Sequence, residues 1–219
     1  MTESRIVKRI QADVNNSIQE LYEKKLVRDY RGLSVKRTGK LDYNISYSGK
    51  DTKISNIIYD KHISADKIID ALLKGYQYNI LLYDKSLIQL EFEIRNNVIM
   101  KERLLFMKMH NRTWDICEIN EYEQNNQDWF TEEKGIPIMF RIDYAPEDHI
   151  ECDHAITHAT LSNHECCRIP IKGIVTVSEF VRFILFHFYG IKMELKVNRS
   201  MLDETITDLE KTQVHINWN

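Results

Sequence analysis

Apolar residues recur at three- and four-residue steps near the start of the chain, at Ile6, Ile10, Val14, Ile18 and Leu21, with polar residues between them. That period is one face of a long helix running from Thr2 to about Lys25, which docks by its stripe. The period then switches to two. Leu41, Tyr43, Ile45 and Tyr47 alternate with Asp42, Asn44, Ser46 and Ser48 before Gly49, which predicts a strand. Ala65, Ile68, Ile69, Leu72 and Leu73 restore the helical spacing, with Ser64 and Gly75 as caps. Tyr78–Tyr83, Ser86–Ile94 and Val98–Met107 read as three consecutive antiparallel strands, because Asp84-Lys85 and Arg95-Asn96-Asn97 are short enough to be hairpin turns.

Met109 to Gly135 has no period and is acidic; it reads as a long loop or short-helix insertion in which Trp114 and Trp129 serve as packing anchors or stacking groups. Ile136 to Tyr144 alternates again, Pro146-Glu147-Asp148 reads as a turn, and His154 to Ser162 is strand-like in composition. Thr176 and Glu179 have the spacing of a capping box, which opens an apolar-faced helix that Gly190 can end. Ile191 to Val197 then alternates as a strand, followed by a short helix from Ser200 to Lys211 and a Val214-Ile216-Trp218 strand pattern. The sum is an α+β fold: a mainly antiparallel sheet, with an N-terminal helix and a C-terminal helical segment packed on it, at its ends and on one face. Residues 1–190 form the domain, and 191–219 are a strand-helix-strand extension of it.

Composition narrows the class without naming an activity. The 219 residues are 43% apolar and 29% charged, the profile of a globular domain able to bury a sizeable core. Seven glycines and three prolines leave little for a linker or a glycine-built phosphate loop. A net charge of −3 supplies no global field toward nucleic acid or an anionic membrane. The charged N-terminus lacks the apolar run of a signal peptide, and the stretch from Ile174 to Leu195 is broken by Glu179, Arg182, His187 and Lys192. A cytoplasmic protein without a membrane span is the expectation, its four cysteines serving as reduced thiols, metal ligands or core residues rather than as a disulfide framework.

No nucleotide-loop, zincin, hydrolase-elbow or CxxC motif occurs. What stands out is a cluster: seven of the twelve His and Cys residues (His149, Cys152, His154, His158, His164, Cys166 and Cys167) fall within nineteen positions. On a straight strand His154 and His158 would stand about 13 Å apart, too far to share one ion. A metal would need a bend there, and no metal or cofactor is assigned. The same strand face suits acid–base work. His158 and Thr160 are neighbours at i and i+2, Arg168 follows, and Arg141 and Asp143 lie on the preceding strand. Imidazole moves a proton near neutral pH, guanidinium clamps a phosphate, and a carboxylate fixes an imidazole. The alternative is a buried polar network of His154, His158 and Arg168 that pins loop to sheet. His62-Ile63-Ser64 offers a second H-x-S/T step, but Ser64 suits a helix cap better. His187 reads as a core histidine, and Glu91 and Glu93 as a solvated strand face that, with Asp84, only loosely resembles the acidic set of a metal-dependent nuclease, since the lysine of its E-x-K step is missing.

Three blocks carry a family resemblance: Ile45-Ser-Tyr-Ser-Gly49; Tyr78 to Asp84 running into Leu87-Ile-Gln89; and Arg141-Ile-Asp-Tyr144 with Asp148-His149, His154-x3-His158-x-Thr160-Leu161 and Cys167-Arg-Ile-Pro170. Together with the FVRFILFHFY helix from Phe180 to Tyr189, they resemble the bacterial DUF2290 family (domain of unknown function 2290) over roughly residues 5 to 190. Ala155-Ile-Thr157 and Ser162-Asn163 depart from the family's usual turn residues. The resemblance implies a context, that of a small protein encoded beside a helicase in bacterial antiphage defence loci, and it points to Asp143, His154, His158 and Arg168.

Two functions follow as expectations. One is a nucleic-acid-cleaving effector partnered by a helicase, in which His158 moves the proton, Asp143 orients a histidine, Arg168 holds phosphate, His154 is a further catalytic candidate, and Arg141 and Thr160 contact the nucleic acid. The other is a non-enzymatic adaptor or sensor that binds and regulates the helicase. The oligomeric state and the choice of DNA or RNA are not legible.

Overall fold

The computed structural model describes residues 4–60, 62–108, 138–162, 167–192 and 204–217. Helix α1 (Arg5–Glu23) starts at Ser4, whose hydroxyl accepts from the Val7 amide, and buries Val7, Ile10, Val14, Ile18 and Leu21. The stretch after it has no clear period, yet it forms two short strands, β1 (Val27–Tyr30) and β2 (Leu33–Arg37). Strand β3 (Tyr43–Tyr47) leads through α2 (Thr52–Ser55) and a 3₁₀ turn (Asn56–Tyr59) to α3 (Ala65–Lys74). Then come β4 (Ile80–Leu82), β5 (Leu87–Arg95) and β6 (Val98–Lys108), as the hairpin spacing required. Asn96 and Asn97 both adopt positive φ in the β5–β6 turn, a conformation Asn tolerates better than most residues.

Strands β7 (Ile138–Tyr144), β8 (Thr157–Leu161) and β9 (Arg168–Pro170) complete one antiparallel nine-stranded sheet, whose main path is β1-β4-β5-β6-β7-β8-β9 and whose side branch joins β3 to β5 and β2 to β3. Both β4 and β3 pair with the same edge of β5, β4 at Leu87 and Ile88 and β3 from Phe92 to Ile94. Asn79, fully buried, closes the gap between them: its Oδ1 accepts from the Leu90 amide at 2.7 Å and its own amide donates to the Ile88 carbonyl. Without that side chain a stretch of buried β5 backbone would lack a partner.

Helix α4 (Val177–Tyr189) opens with the Thr176–Glu179 capping box and closes at Gly190, whose φ of 68° belongs to the left-handed region. It packs beside α1 on one sheet face, burying Phe180, Val181, Ile184 and Leu185 against Phe106, Phe140 and Ile142. Each such side chain contributes about 1.5–3 kcal/mol of burial. Helix α3 lies on the opposite face, where Ile68, Ile69 and Leu72 meet Leu87, Leu105, Met107 and Met139. Helices therefore cover parts of both faces rather than one.

Two predicted elements differ. His154 to Ile156 is not part of the strand: a turn through Cys152 (φ 63°) brings the chain back on itself, Ile150 bridges His154, and β8 begins only at Thr157. The expected helix from Ser200 to Lys211 has, in its described part, only a 3₁₀ turn (Glu210–Thr212), because Glu204 and Thr205 are held on the strand-like segment at Lys172–Gly173. Ile216 bridges Ile171 in parallel, so the chain end returns to the sheet. The 109–135 insertion with Trp114 and Trp129, most of the 191–197 strand, and Trp218 lie outside the described residues. Among the described residues no helix is long and apolar enough to cross a membrane.

Candidate active site

Helix α3 covers only one end of its sheet face. Beyond it the outward positions of the central strands turn polar, and register lines them up across the sheet: Glu91 on β5 opposes Arg103 on β6, Arg103 opposes Asp143 on β7, and Asp143 opposes His158 on β8. A second row runs Leu105, Arg141, Thr160, Arg168. Directly opposed residues share a face. These rows form the floor of a cleft of about 700 Å³, which Lys36, Lys50, Lys101, Asp148 and His154 also line. Four residues singled out from sequence, Asp143, His154, His158 and Arg168, line this one cleft, and Arg141 joins them.

Asp143 holds the floor together. Its two oxygens accept from Arg103 Nε at 2.8 Å and Arg141 Nε at 2.5 Å, and His158 Nε2 stands 3.9 Å away. Burial pushes this carboxyl up, but the two guanidiniums outweigh it and hold it below the ordinary carboxylate value. The imidazole of His158 is oriented by a backbone group instead: Nδ1 lies 2.9 Å from the Ala155 carbonyl, so Nδ1–H donates there and Nε2 faces Asp143. Desolvation lowers the His158 pKa, and desolvation together with the Arg168 charge lowers that of His154. These shifts favour the neutral form of both rings.

The bend before β8 changes the histidine geometry. The rings of His154 and His158 meet edge to face with centroids 4.7 Å apart, where a straight strand would have set the residues about 13 Å apart. His158 is 2% exposed and His154 is half-buried, so His154 is the imidazole more open to solvent. Arg168 has no hydrogen-bond or ion-pair partner among the described residues, unlike Arg103 and Arg141. Thr160 is buried beneath, its hydroxyl without a partner among the described residues.

Sequence reasoning missed several members. Arg103 is one; Lys50, which pairs with Glu91 at 2.7 Å, is another. Tyr59, which borders the cleft without lining it, is a third: its hydroxyl accepts from Arg103, and the guanidiniums of Arg103 and Arg141 lie 5.2 and 5.9 Å from its ring centre. Glu91 is half-buried in this cleft rather than on a solvated face. Asp84 is not with it. Its carboxylate sits under α4, accepting from Tyr189 at 2.7 Å and lying 3.6 Å from Lys108 Nζ. His62 is exposed, and Ser64 occupies the cap position of α3 without a capping hydrogen bond. His187 is exposed as well, against Phe183 and Phe186, and so is not a core residue.

Among the described residues no three or more His, Cys, Asp or Glu side chains converge as a metal site. Cys152 is exposed, Cys167 half-buried, and His149 faces Glu210 at 3.4 Å. His164 and Cys166 lie outside the described residues.

The model of the family described as Uncharacterized conserved protein (DUF2290) matches residues 26–218, and the chain belongs to that family. Neither the curated proteins nor the solved structures contain a match.

Proposed function

We propose that this member of the DUF2290 family is a nucleic-acid-cleaving effector of bacterial antiphage defence that works with a helicase. The observation that carries the enzymatic part is the edge-to-face His154–His158 pair in one cleft with Arg168, whose side chain has no partner among the described residues, on a floor crossed by two further guanidiniums. The expectation that the carboxylate orients an imidazole gives way to a different division of labour. Asp143 sets Arg103 and Arg141, while the Ala155 carbonyl sets His158. A phosphodiester docked on Arg168 brings negative charge to His154, which raises the basicity of that ring. His154, rather than the buried His158 expected for this role, then accepts the proton from the attacking oxygen and returns it to the departing oxygen as the P–O bond breaks, with His158 as the ring that positions it. The helicase partnership rests on the family resemblance alone.

The test is cleavage of labelled DNA and RNA by the purified protein, alone and with the helicase encoded beside it, with and without EDTA. His154→Ala and His158→Ala are expected to end cleavage, with thermal unfolding confirming that each variant is folded. Full cleavage by both would remove the assignment. Loss of cleavage on adding EDTA would replace imidazole chemistry with a metal-dependent route. A second reading, a non-enzymatic adaptor that regulates the helicase, draws support from the pairing of most cleft charges with one another, Glu91 with Lys50 and Asp143 with two arginines. Helicase capture without cleavage of any nucleic acid would favour it.

A further inference from the structure

We infer that the cleft takes an unpaired nucleotide of a single strand, its base stacked on Tyr59 and its phosphate on Arg168, and that it excludes duplex. This deepens the nucleic-acid reading of the same site and rests on it.

Three observations carry the inference. The first is the depth of the floor. Asp143 is 7% and His158 2% exposed, and the row they occupy lies between the β2–β3 side of the sheet and the turn that carries Asp148 and His154. A backbone phosphate of a duplex is flanked by its own paired bases and by the opposite strand, so it cannot descend to such a floor. An unpaired nucleotide can turn its base inward and follow its phosphate down.

The second is the aromatic that borders the cleft beside Arg103 and Arg141. Tyr59 ends the 3₁₀ turn ahead of α3, keeps 41% of its surface open, and has its hydroxyl fixed by Arg103. A tethered ring with an open surface beside guanidiniums is the arrangement that single-strand binders use, since every base offers a π-face and the adjoining cations take the backbone.

The third is spacing. Arg141, which lies by Tyr59, and Arg168 stand two strands apart on one row, about 10 Å between backbones. That separation suits a single nucleotide with its base at one end and its phosphate at the other. Arg103 and Arg141 share the single carboxylate of Asp143, whereas the Arg168 side chain has no partner among the described residues.

The experiment is fluorescence anisotropy of the full chain with labelled oligo(rA) and oligo(dA), each alone and annealed to its complement, with a mononucleotide as a further arm. Single strands are expected to bind at least about tenfold more tightly than the duplexes. Tyr59→Ala is expected to lose about tenfold in strand affinity, the loss of one base–aromatic stack, and Tyr59→Phe to keep most of it. Arg168→Ala should weaken strand binding and flatten its salt dependence. Equal affinity for strand and duplex, or unchanged binding by Tyr59→Ala, would overturn the inference, as would absence of binding in every arm. Tight mononucleotide binding that a strand cannot displace would replace the polymer by a free nucleotide. Strand-selective binding without cleavage would leave the inference standing and remove the nuclease reading. Cleavage of duplex and strand alike would do the reverse.

Discussion

Asp143→Asn is the substitution that tests the cleft floor most directly. The carboxylate is the counter-charge of two guanidiniums, and the amide that replaces it has the same size and no charge. Breaking a fully buried pair costs about 3–5 kcal/mol. Here Arg141 keeps 15% and Arg103 33% of its side chain in solvent, so water takes up part of the loss. The lower end applies, about 2–3 kcal/mol, after discounting for that screening. At about 2–4 °C per kcal/mol for a chain of this size, Tm falls by about 4–12 °C. The pH dependence has a definite sign. Because the folded carboxyl sits below its ordinary value, its stabilisation is present above the unfolded-state pKa of about 3.9 and is lost as pH falls through the folded value. The gap in Tm between parent and variant should therefore be flat around neutrality and close in acid. The two freed guanidiniums should hold a nucleic-acid strand more tightly, while cleavage falls because the floor is no longer ordered. Differential scanning fluorimetry against pH, with anisotropy beside it, measures both effects. A variant melting within about 1 °C of the parent at neutral pH would refute Asp143 as the organiser.

Glu102 is buried among Asp13, Glu179 and the sheet, and its Oε1 has no partner among the described residues; burial and those neighbouring carboxylates push its pKa well above the ordinary value. The folded state thus holds a proton that the unfolded state releases, so stability falls as pH rises from about 4.5 through the folded value. Glu102→Gln should raise Tm, more in mild alkali than at pH near 5, and an equal gain at both would contradict this burial argument. Thr176→Ala removes the capping hydroxyl of α4 and should cost about 1 kcal/mol in denaturant unfolding. Gly190→Ala should cost about the same, since φ is 68° there although a Cβ would meet no atom within 4 Å; a neutral result would mean that α4 unwinds at this end.

The strong periods in the sequence belong to α1, α3, α4 and β3, which dock by one face, while β4 to β6 are legible from the short turns between them and β7 from its alternation, although helices cover parts of both faces there. Strands β1 and β2 were not legible because little of them is buried to impose a period; β2 has no fully buried residue. The His154–His158 contact was hidden for another reason. Strand-like composition extends through His154, but the turn at Cys152 is set by tertiary pairing of Ile150 with His154, which no local pattern announces. The site residues with distinctive chemistry (Asp143, His154, His158 and Arg168) could be found from spacing. Arg103 and Tyr59 could not, since each matters only through what stands across from it.

Arg103 shows how much rests on one residue of register. Counting outward from the Arg95–Val98 pair at the β5–β6 turn, an unbroken hairpin would set Glu91 opposite Glu102 and send Arg103 to the face beneath α1 and α4. The observed pairing shifts between Glu93 and Ile94, with Met100 as the extra residue, and Glu91 opposes Arg103 instead. Such a slip exchanges the two faces of a strand. Here it keeps Leu104 and Phe106 in the core and Arg103 on Asp143, and it also forces Glu102 inward among Asp13 and Glu179. Moving the bulge would expose Leu104 and Phe106, and removing it would take the arginine from the cleft, so the buried carboxyl is the consequence of building a charged floor onto a strand that must also fill a core. Local rules of burial fail at Glu102 because Arg103, the next residue in the chain, is committed to the cleft.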